Sequence, residues 1–140
     1  MAEVFRTEYR VAWADTDAAG VVHFSRYFLF FERCEEEFYS FLGFSFKDIA
    51  EQGLWFPRVE AFCQYKKPAR FNDLLLVELR VLELKEKSVR YGFAVQNKES
   101  GELLTSGHLV VVAADKKTGR ATAIPRMFVD KLAAYVKQVL

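Results

Sequence analysis

Two carboxylates one residue apart, Asp15 and Asp17, open the stretch ADTDAAGVVHFSRYFLFFERCEEEFY at residues 14–39. Small residues, a glycine and a long aromatic-rich run follow them. A carboxylate can take a proton from water or attack an electrophilic carbon itself. The start of a helix offers unpaired N–H groups and about half a positive charge, which stabilise an oxyanion. A charged loop directly before an apolar helix therefore has chemistry to offer at the helix end. Gly20 would let that loop approach a bound molecule with no Cβ in the way. The same spacing also suits an Asx turn in which both aspartates only order the chain, and the residues alone leave the two readings open.

Other reactive side chains are sparse. Cys34 and Cys63 are the only cysteines and lack CxxC spacing, and His23 and His108 supply no zinc-type pattern, so no metal is expected. Both thiols fall among apolar residues and are expected reduced and buried. His108 lies amid a strand pattern and is expected to be structural, whereas His23 stands in the loop itself.

The chain that must position these groups has 140 residues, enough for one domain over 1–140 with a real core. At 51% hydrophobic it is not a disordered polymer. Its 16% aromatic share, with fourteen Phe, points to a Phe-packed core or to a pocket and interface that use flat rings. Twenty basic and nineteen acidic residues leave a net charge of +1, so no polyelectrolyte attraction for nucleic acid follows. The opening MAEVFRTEYR has no apolar leader-like core, and no run approaches the ~18 apolar residues of a membrane span. A cytoplasmic protein with no membrane partner is expected.

Residues 4–13 alternate imperfectly as a strand, and residues 14–24 form a loop. Ser25 is the expected side-chain cap of a helix running to about Leu42, with Gly43 just beyond its end. Tyr27, Phe30, Phe31, Cys34, Phe38, Phe41 and Leu42 recur at helical spacing. Phe28 and Leu29 widen that surface almost all round, so the first turns are expected buried and Glu35, Glu36 and Glu37 are expected in solvent. A short helix near Phe46–Glu51 follows, then strands over 57–66, LLLVELRVLELKEK, SVRYGFAVQN and LLTSGHLVVVAA, a turn DKKTGR with a short strand after it, and a terminal helix over 126–140. In the second of these strands, Leu75, Val77, Leu79 and Val81 share one face. The expected class is α+β, a highly curved antiparallel sheet wrapped around one long buried helix. Its open edges favour pairing with a second copy, as a homodimer or homotetramer.

The pattern D-T-D-A-A-G-V-V-H-F-S-R-Y-F, with F-x-E-R on the helix behind it, resembles the hotdog-fold thioesterases. It is most similar to the 4-hydroxybenzoyl-CoA thioesterase family and its acyl-CoA and dihydroxynaphthoyl-CoA relatives, from Tyr9 to about Pro125. The resemblance implies hydrolysis of an acyl-CoA thioester, with coenzyme A part of the substrate and no separate cofactor. It makes Asp17 the catalytic carboxylate, as nucleophile or as base for water, and the main-chain N–H of Phe24 the oxyanion donor. Asp15 is then first a loop-ordering residue that accepts main-chain hydrogen bonds, with a direct chemical role as its alternative. Some related bacterial thioesterases carry a histidine at what is Phe24 here, and His23 is the neighbouring candidate to stand in for it.

The same resemblance places contacts for the coenzyme phosphates at Lys87, Ser88 and Arg120, where cationic side chains suit phosphate. The turn holding Lys116, Lys117 and Arg120 is locally basic, as is the cluster Lys66, Lys67 and Arg70. Trp55, Phe56 and Pro57, with Phe28, are placed to wall an acyl pocket across a subunit interface, although each ring also suits ordinary packing. Alternatives within reach are a carrier-protein thioesterase, a hydratase of the same fold, a non-catalytic acyl-binding module and a purely structural oligomer. The helix-end carboxylate loop weighs against the last two.

Overall fold

A computed structural model describes residues 2–136, so the continuation of the expected terminal helix over 137–140 lies outside the described residues. In chain order the elements are β1 (Phe5–Arg10), α1 (Arg26–Leu42), α2 (Phe46–Glu51), β2 (Leu54–Trp55), β3 (Arg58–Tyr65), β4 (Leu74–Leu84), β5 (Ser88–Asn97), β6 (Leu103–Val112), β7 (Ala114–Asp115) and α3 (Arg126–Leu132). Five strands form one antiparallel sheet in the order β1-β4-β5-β6-β3, and β2 pairs with β7 in a separate ribbon. Helix α1 touches inner strand β4 and both edge strands, β1 and β3, so the sheet wraps the helix in the expected hotdog manner. No helix among the described residues is long and apolar enough to cross a membrane.

Helix α1 follows from its apolar stripe. Tyr27, Phe30, Phe31, Cys34, Phe38 and Leu42 are all buried, and Phe31 stacks on Phe93 of β5 with centroids 4.6 Å apart. Gly43, at φ 90°, ends the helix in the left-handed region, and the Phe44 N–H reaches back to the Tyr39 carbonyl at 2.8 Å. That is the Schellman closure which a glycine at this position permits. On β4 the alternation holds as read: Leu75, Val77, Leu79 and Val81 are buried on one face.

Several local expectations are corrected. Glu35 is 1% exposed rather than solvated, whereas Leu29 and Phe41, expected in the apolar surface, are 43% and 66% exposed. The buried stripe is therefore narrower than the run of aromatic residues implies. Ser25 makes no side-chain cap; its Oγ meets His23 Nδ1 at 2.8 Å instead, because the turn before the helix already has helical dihedrals. Strand β1 ends at Arg10, since Trp13–Asp15 closes as a single 3-10 turn. The strand expected after DKKTGR reduces to Ala121 bridging Ala114. The terminal helix stops at Leu132 and tightens to a 3-10 turn over Ala133–Tyr135. Cys34 is buried, but Cys63 is only half-buried because β3 is a sheet edge.

Gly107 of β6 shows how closely the helix and sheet meet. A Cβ there would lie 2.2 Å from the Phe62 carbonyl oxygen and 2.9 Å from the Phe31 ring. Overpacking at such a site costs about 1–3 kcal/mol. Gly107→Ala is expected to lower the urea midpoint accordingly, measured by equilibrium unfolding followed through tyrosine and tryptophan fluorescence.

Candidate active site

The loop ahead of α1 is shaped by its own aspartates. Asp15 Oδ2 accepts the Ala12 N–H at 2.8 Å, its carbonyl accepts the His23 N–H at 2.9 Å, and its Oδ1 lies 4.0 Å from Arg26 Nε. It joins the entry of the loop, its exit and the first residue of the helix. Asp17 Oδ1 accepts the Ala19 N–H at 2.8 Å, an Asx turn, and the Asp17 carbonyl accepts the Gly20 N–H at 2.9 Å. Gly20 has φ +81°, which a residue with a Cβ adopts only under strain, and open space surrounds it. Asp17 Oδ2 has no protein partner among the described residues, so one carboxylate oxygen is held and the other is left for something else.

Two main-chain links fasten this loop to the segment after β3. The Val22 N–H donates to the Ala69 carbonyl at 2.8 Å, and Val21 bridges Arg70. Phe24 lies in the turn two residues before the first helical residue, not on the helix as its expected role implied. Its N–H has no acceptor among the described residues, while its carbonyl accepts the Tyr65 hydroxyl at 2.7 Å. Its ring is 65% exposed, so the side chain adds little to the core.

Asp17 and Phe24 line one cavity of ≈ 330 Å³, with Val21 and Tyr27 as apolar wall, Tyr65 opposite and Lys66 beside it. A second cavity, walled by Trp13 and Phe71, touches Asp17 from the other side of the loop. A half-held carboxylate, an unpaired N–H and nearby cations can accept a proton and stabilise negative charge on oxygen. His23 does not line the first cavity. Its Nδ1 faces Ser25 Oγ and accepts the Ser25 N–H at 3.3 Å, and its ring leans on Phe24 at 4.4 Å. Among the described residues no three His, Cys, Asp or Glu side chains gather as a metal site would need.

The other expected site residues gather elsewhere. Lys87 and Ser88 lie at the β4–β5 turn, Arg120 follows β7, and Trp55, Phe56 and Pro57 lead into β3. Main-chain bonds link these pieces: Ala113 N–H to the Lys87 carbonyl, Asp115 N–H to the Arg120 carbonyl and Val112 N–H to the Pro57 carbonyl. They share the Arg58 end of β3, whereas the Asp17 cavity adjoins the Tyr65 end. Seven steps of extended chain separate those ends, about 24 Å. Phe56 stacks on Phe128 at 5.4 Å and Phe28 meets Phe31 edge-on at 5.9 Å, so within one chain neither lines the Asp17 cavity. His108 pairs with Glu60 on the sheet surface at 2.6 Å.

A buried polar cluster escaped the sequence reading. Arg58 Nη1 and Nη2 grip both oxygens of Glu35 at 3.0 and 2.8 Å, the Tyr39 hydroxyl donates to Glu35, and Tyr39 and Tyr91 share a 3.0 Å bond. Burial pushes the Glu35 carboxyl above the usual range, and the Arg58 guanidinium offsets part of that. The signal was available: Glu35 falls four residues after Phe31 and three before Phe38, on the apolar stripe.

The sequence profile of the Thioesterase-like superfamily matches residues 11–132. The chain belongs to this superfamily. Among its relatives, the acyl-CoA thioester hydrolase YbgC of Escherichia coli is 29% identical over 126 residues, 90% of this chain and 93% of that protein. A 1,4-dihydroxy-2-naphthoyl-CoA hydrolase of Synechocystis is 30% identical over 120 residues, 81% of this chain and 85% of its own. The crystal structure of a Synechocystis 1,4-dihydroxy-2-naphthoyl-CoA thioesterase superposes with TM-score 0.89 at 25% identity, covering 94% of this chain and 96% of the other. The hotdog fold of the superfamily is thus the fold of this chain.

Removing one member of a buried ion pair leaves an uncompensated charge, which costs about 3–5 kcal/mol. Arg58→Leu is expected to lower stability on that scale in urea unfolding, and the double variant Glu35→Leu, Arg58→Leu to recover most of the loss.

Proposed function

We propose that this protein hydrolyses acyl- or aryl-coenzyme A thioesters, with Asp17 as the catalytic carboxylate and the Phe24 N–H as oxyanion donor. The observation that carries the reading is one cavity lined by both residues, of which an Asp17 oxygen and the Phe24 N–H are each without a protein partner among the described residues. The names of the relatives supply the substrate class: an acyl-CoA thioester hydrolase and 1,4-dihydroxy-2-naphthoyl-CoA hydrolases.

In the general-base form, Asp17 takes a proton from water as its oxygen attacks the thioester carbonyl. In the nucleophilic form, Asp17 Oδ2 attacks instead, and water then cleaves the mixed anhydride. Either way the C–S bond breaks, the sulfur leaves with the electron pair and is protonated, and the products are a free acid and coenzyme A. The Phe24 N–H holds the negative oxygen of the tetrahedral intermediate. The reaction calls for no cofactor or metal, and a cytoplasmic setting suits its substrate.

The protein works as a homodimer, alone or within a tetramer, through edge strand β3. Val59 and Phe62 on that strand are 60% and 48% exposed, and one side of its hydrogen-bonding ladder is open. Antiparallel two-fold pairing of β3 with its copy sets the Arg58 end of each strand beside the Tyr65 end of the other. Lys87, Ser88, Arg120 and Trp55–Pro57 of one copy then approach the Asp17 cavity of its mate, bringing phosphate contacts and an acyl wall.

Thiol release from short, long, branched and aromatic acyl-CoA substrates tests the activity. Asp17→Asn is expected to lose at least about a hundredfold in kcat, on the scale of removing a catalytic base. Phe24→Pro, which has no N–H, is expected to lose about 10²–10³ in kcat, whereas Phe24→Ala keeps most of it because the donor is main chain. Full activity of Asp17→Asn would refute the assignment.

Ala61 lies near the middle of β3 and is exposed. Ala61→Asp sets like charges near each other across the two-fold. Light scattering is expected to report a folded monomer, with hydrolysis reduced at least about tenfold because each site then lacks its second half.

A further inference from the structure

Phe24 is restrained by a side chain that the reaction above does not use. Tyr65, the last residue of β3, donates its hydroxyl to the Phe24 carbonyl at 2.7 Å, and its ring meets Tyr27 edge-on at 5.4 Å. Because Phe24 precedes the helix by two residues, its carbonyl lies outside the α1 ladder, and Tyr65 is its donor among the described residues. The peptide plane before Phe24 is fixed at its carbonyl end, where His23 accepts the Arg26 N–H at 2.9 Å. The plane after it is held by Tyr65 at the carbonyl, at 2.7 Å, and by the longer 3.3 Å bond from the Ser25 N–H to His23 Nδ1. The unpaired N–H belongs to the residue between these two fixed carbonyls.

Packing supplies little further restraint, since the Phe24 ring is 65% exposed and rests on His23. The hydroxyl is a durable donor: partial burial, with the Cys63 thiol beside it, pushes Tyr65 up to about 12. A hydroxyl aimed at a main-chain carbonyl, on the wall facing Asp17, has no share in proton transfer as it stands.

We infer that Tyr65 is a positioning residue, whose hydroxyl locks the Phe24 backbone so that the Phe24 N–H stays aimed into the Asp17 cavity. This rests on the reading of Asp17 and Phe24 given above. Losing the lock leaves the substrate-binding walls intact but lets the donor wander, and misplacement of about 1 Å can cost a hundredfold in rate. The loss therefore falls on kcat and spares KM, as for an interaction felt mainly in the transition state.

The test compares Tyr65→Phe with wild type and with Asp17→Asn on the best substrate of the acyl-CoA panel. Tyr65→Phe is expected to lower kcat about ten- to hundredfold with KM within about twofold, and to keep its unfolding midpoint. Incorporating p-aminophenylalanine at position 65, which restores an N–H donor, is expected to recover part of kcat. In the Asp17→Asn background, difference infrared spectra of bound carbonyl-labelled benzoyl-CoA report the donor directly. Tyr65→Phe should move that carbonyl band back towards its frequency in free solution. Unchanged kcat, a change in KM alone, no recovery with p-aminophenylalanine or an unmoved band would each overturn the inference. If Tyr65→Phe does not fold, p-fluorophenylalanine at position 65, which keeps the ring and its length but has no donor, takes its place: a loss of kcat of about tenfold or more supports the lock, and wild-type-like kcat overturns it. An inactive Asp17→Asn beside a fully active Tyr65→Phe sinks only the lock, whereas a fully active Asp17→Asn sinks the reading beneath it.

Discussion

Asp17, Ala19, Gly20, Val22, His23 and Ser25 each give their N–H to an acceptor in the protein, and Ala18, Val21 and Phe24 have none among the described residues. Buried main-chain donors are nearly always paired, and of these three exceptions the one nearest the helix belongs to Phe24, which lines the Asp17 cavity. Its freedom depends on how the loop is held. Each bond in the loop contributes only about 1 kcal/mol net, and Trp13, Ala18, Ala19 and Phe24 are too exposed to anchor it by packing. Order comes from several bonds acting together, with Asp15 closing the loop on itself and Ala69 fastening it to the segment after β3. The site is thus a consequence of where hydrogen bonds go, more than of hydrophobic burial.

Edge strand β3 is what joins this loop to the rest of the molecule. Its end is tied to the turn before α1 through Tyr65, and its beginning is tied to the third turn of α1 through Arg58 and Glu35. Between those polar anchors the strand has the β6 ladder on one side and exposed side chains over most of its length. A carboxylate 1% exposed is costly unless paired and hydrogen-bonded, and Glu35 is both. That cost is accepted where it fixes the separation between the helix and a strand with little packing of its own.

Most of the architecture was legible because it rests on periodicity. The apolar stripe of α1, the alternation on β4 and the left-handed Gly43 all follow from residue type and spacing, and the sheet closes around them. The pairing of Asp17 with Phe24 was implied by the family resemblance and not by periodicity; the two line one cavity, whereas Gly20 lines the other cavity that touches Asp17. Three things were not legible. Ser25 found a partner in His23 that competes with capping, a choice that depends on the rotamer of a neighbour. Glu35 hid in a run of three glutamates, where composition suggests water but helical phase points inward. Tyr65 reaches Phe24 across forty residues, and no local pattern encodes which end of β3 lies beside the loop.

That last point bears on how a thioester could be handled at all. A hydrolase of this kind needs a polarised carbonyl shielded from bulk solvent, yet Phe24 and Tyr65 are 65% and 46% exposed in the single chain. The groups proposed for the coenzyme phosphates and an acyl wall lie toward the other end of β3, about 24 Å away along the strand. Under two-fold antiparallel pairing the exposure and the distance have one remedy. The open edge is covered by its own copy, and the distant end of one strand becomes the near end of the other. A two-fold axis does this twice, so each dimer would hold two equivalent sites, each taking its carboxylate from one chain and its phosphate contacts from the other. An edge strand pinned at both ends but bare in the middle is the shape that such pairing requires.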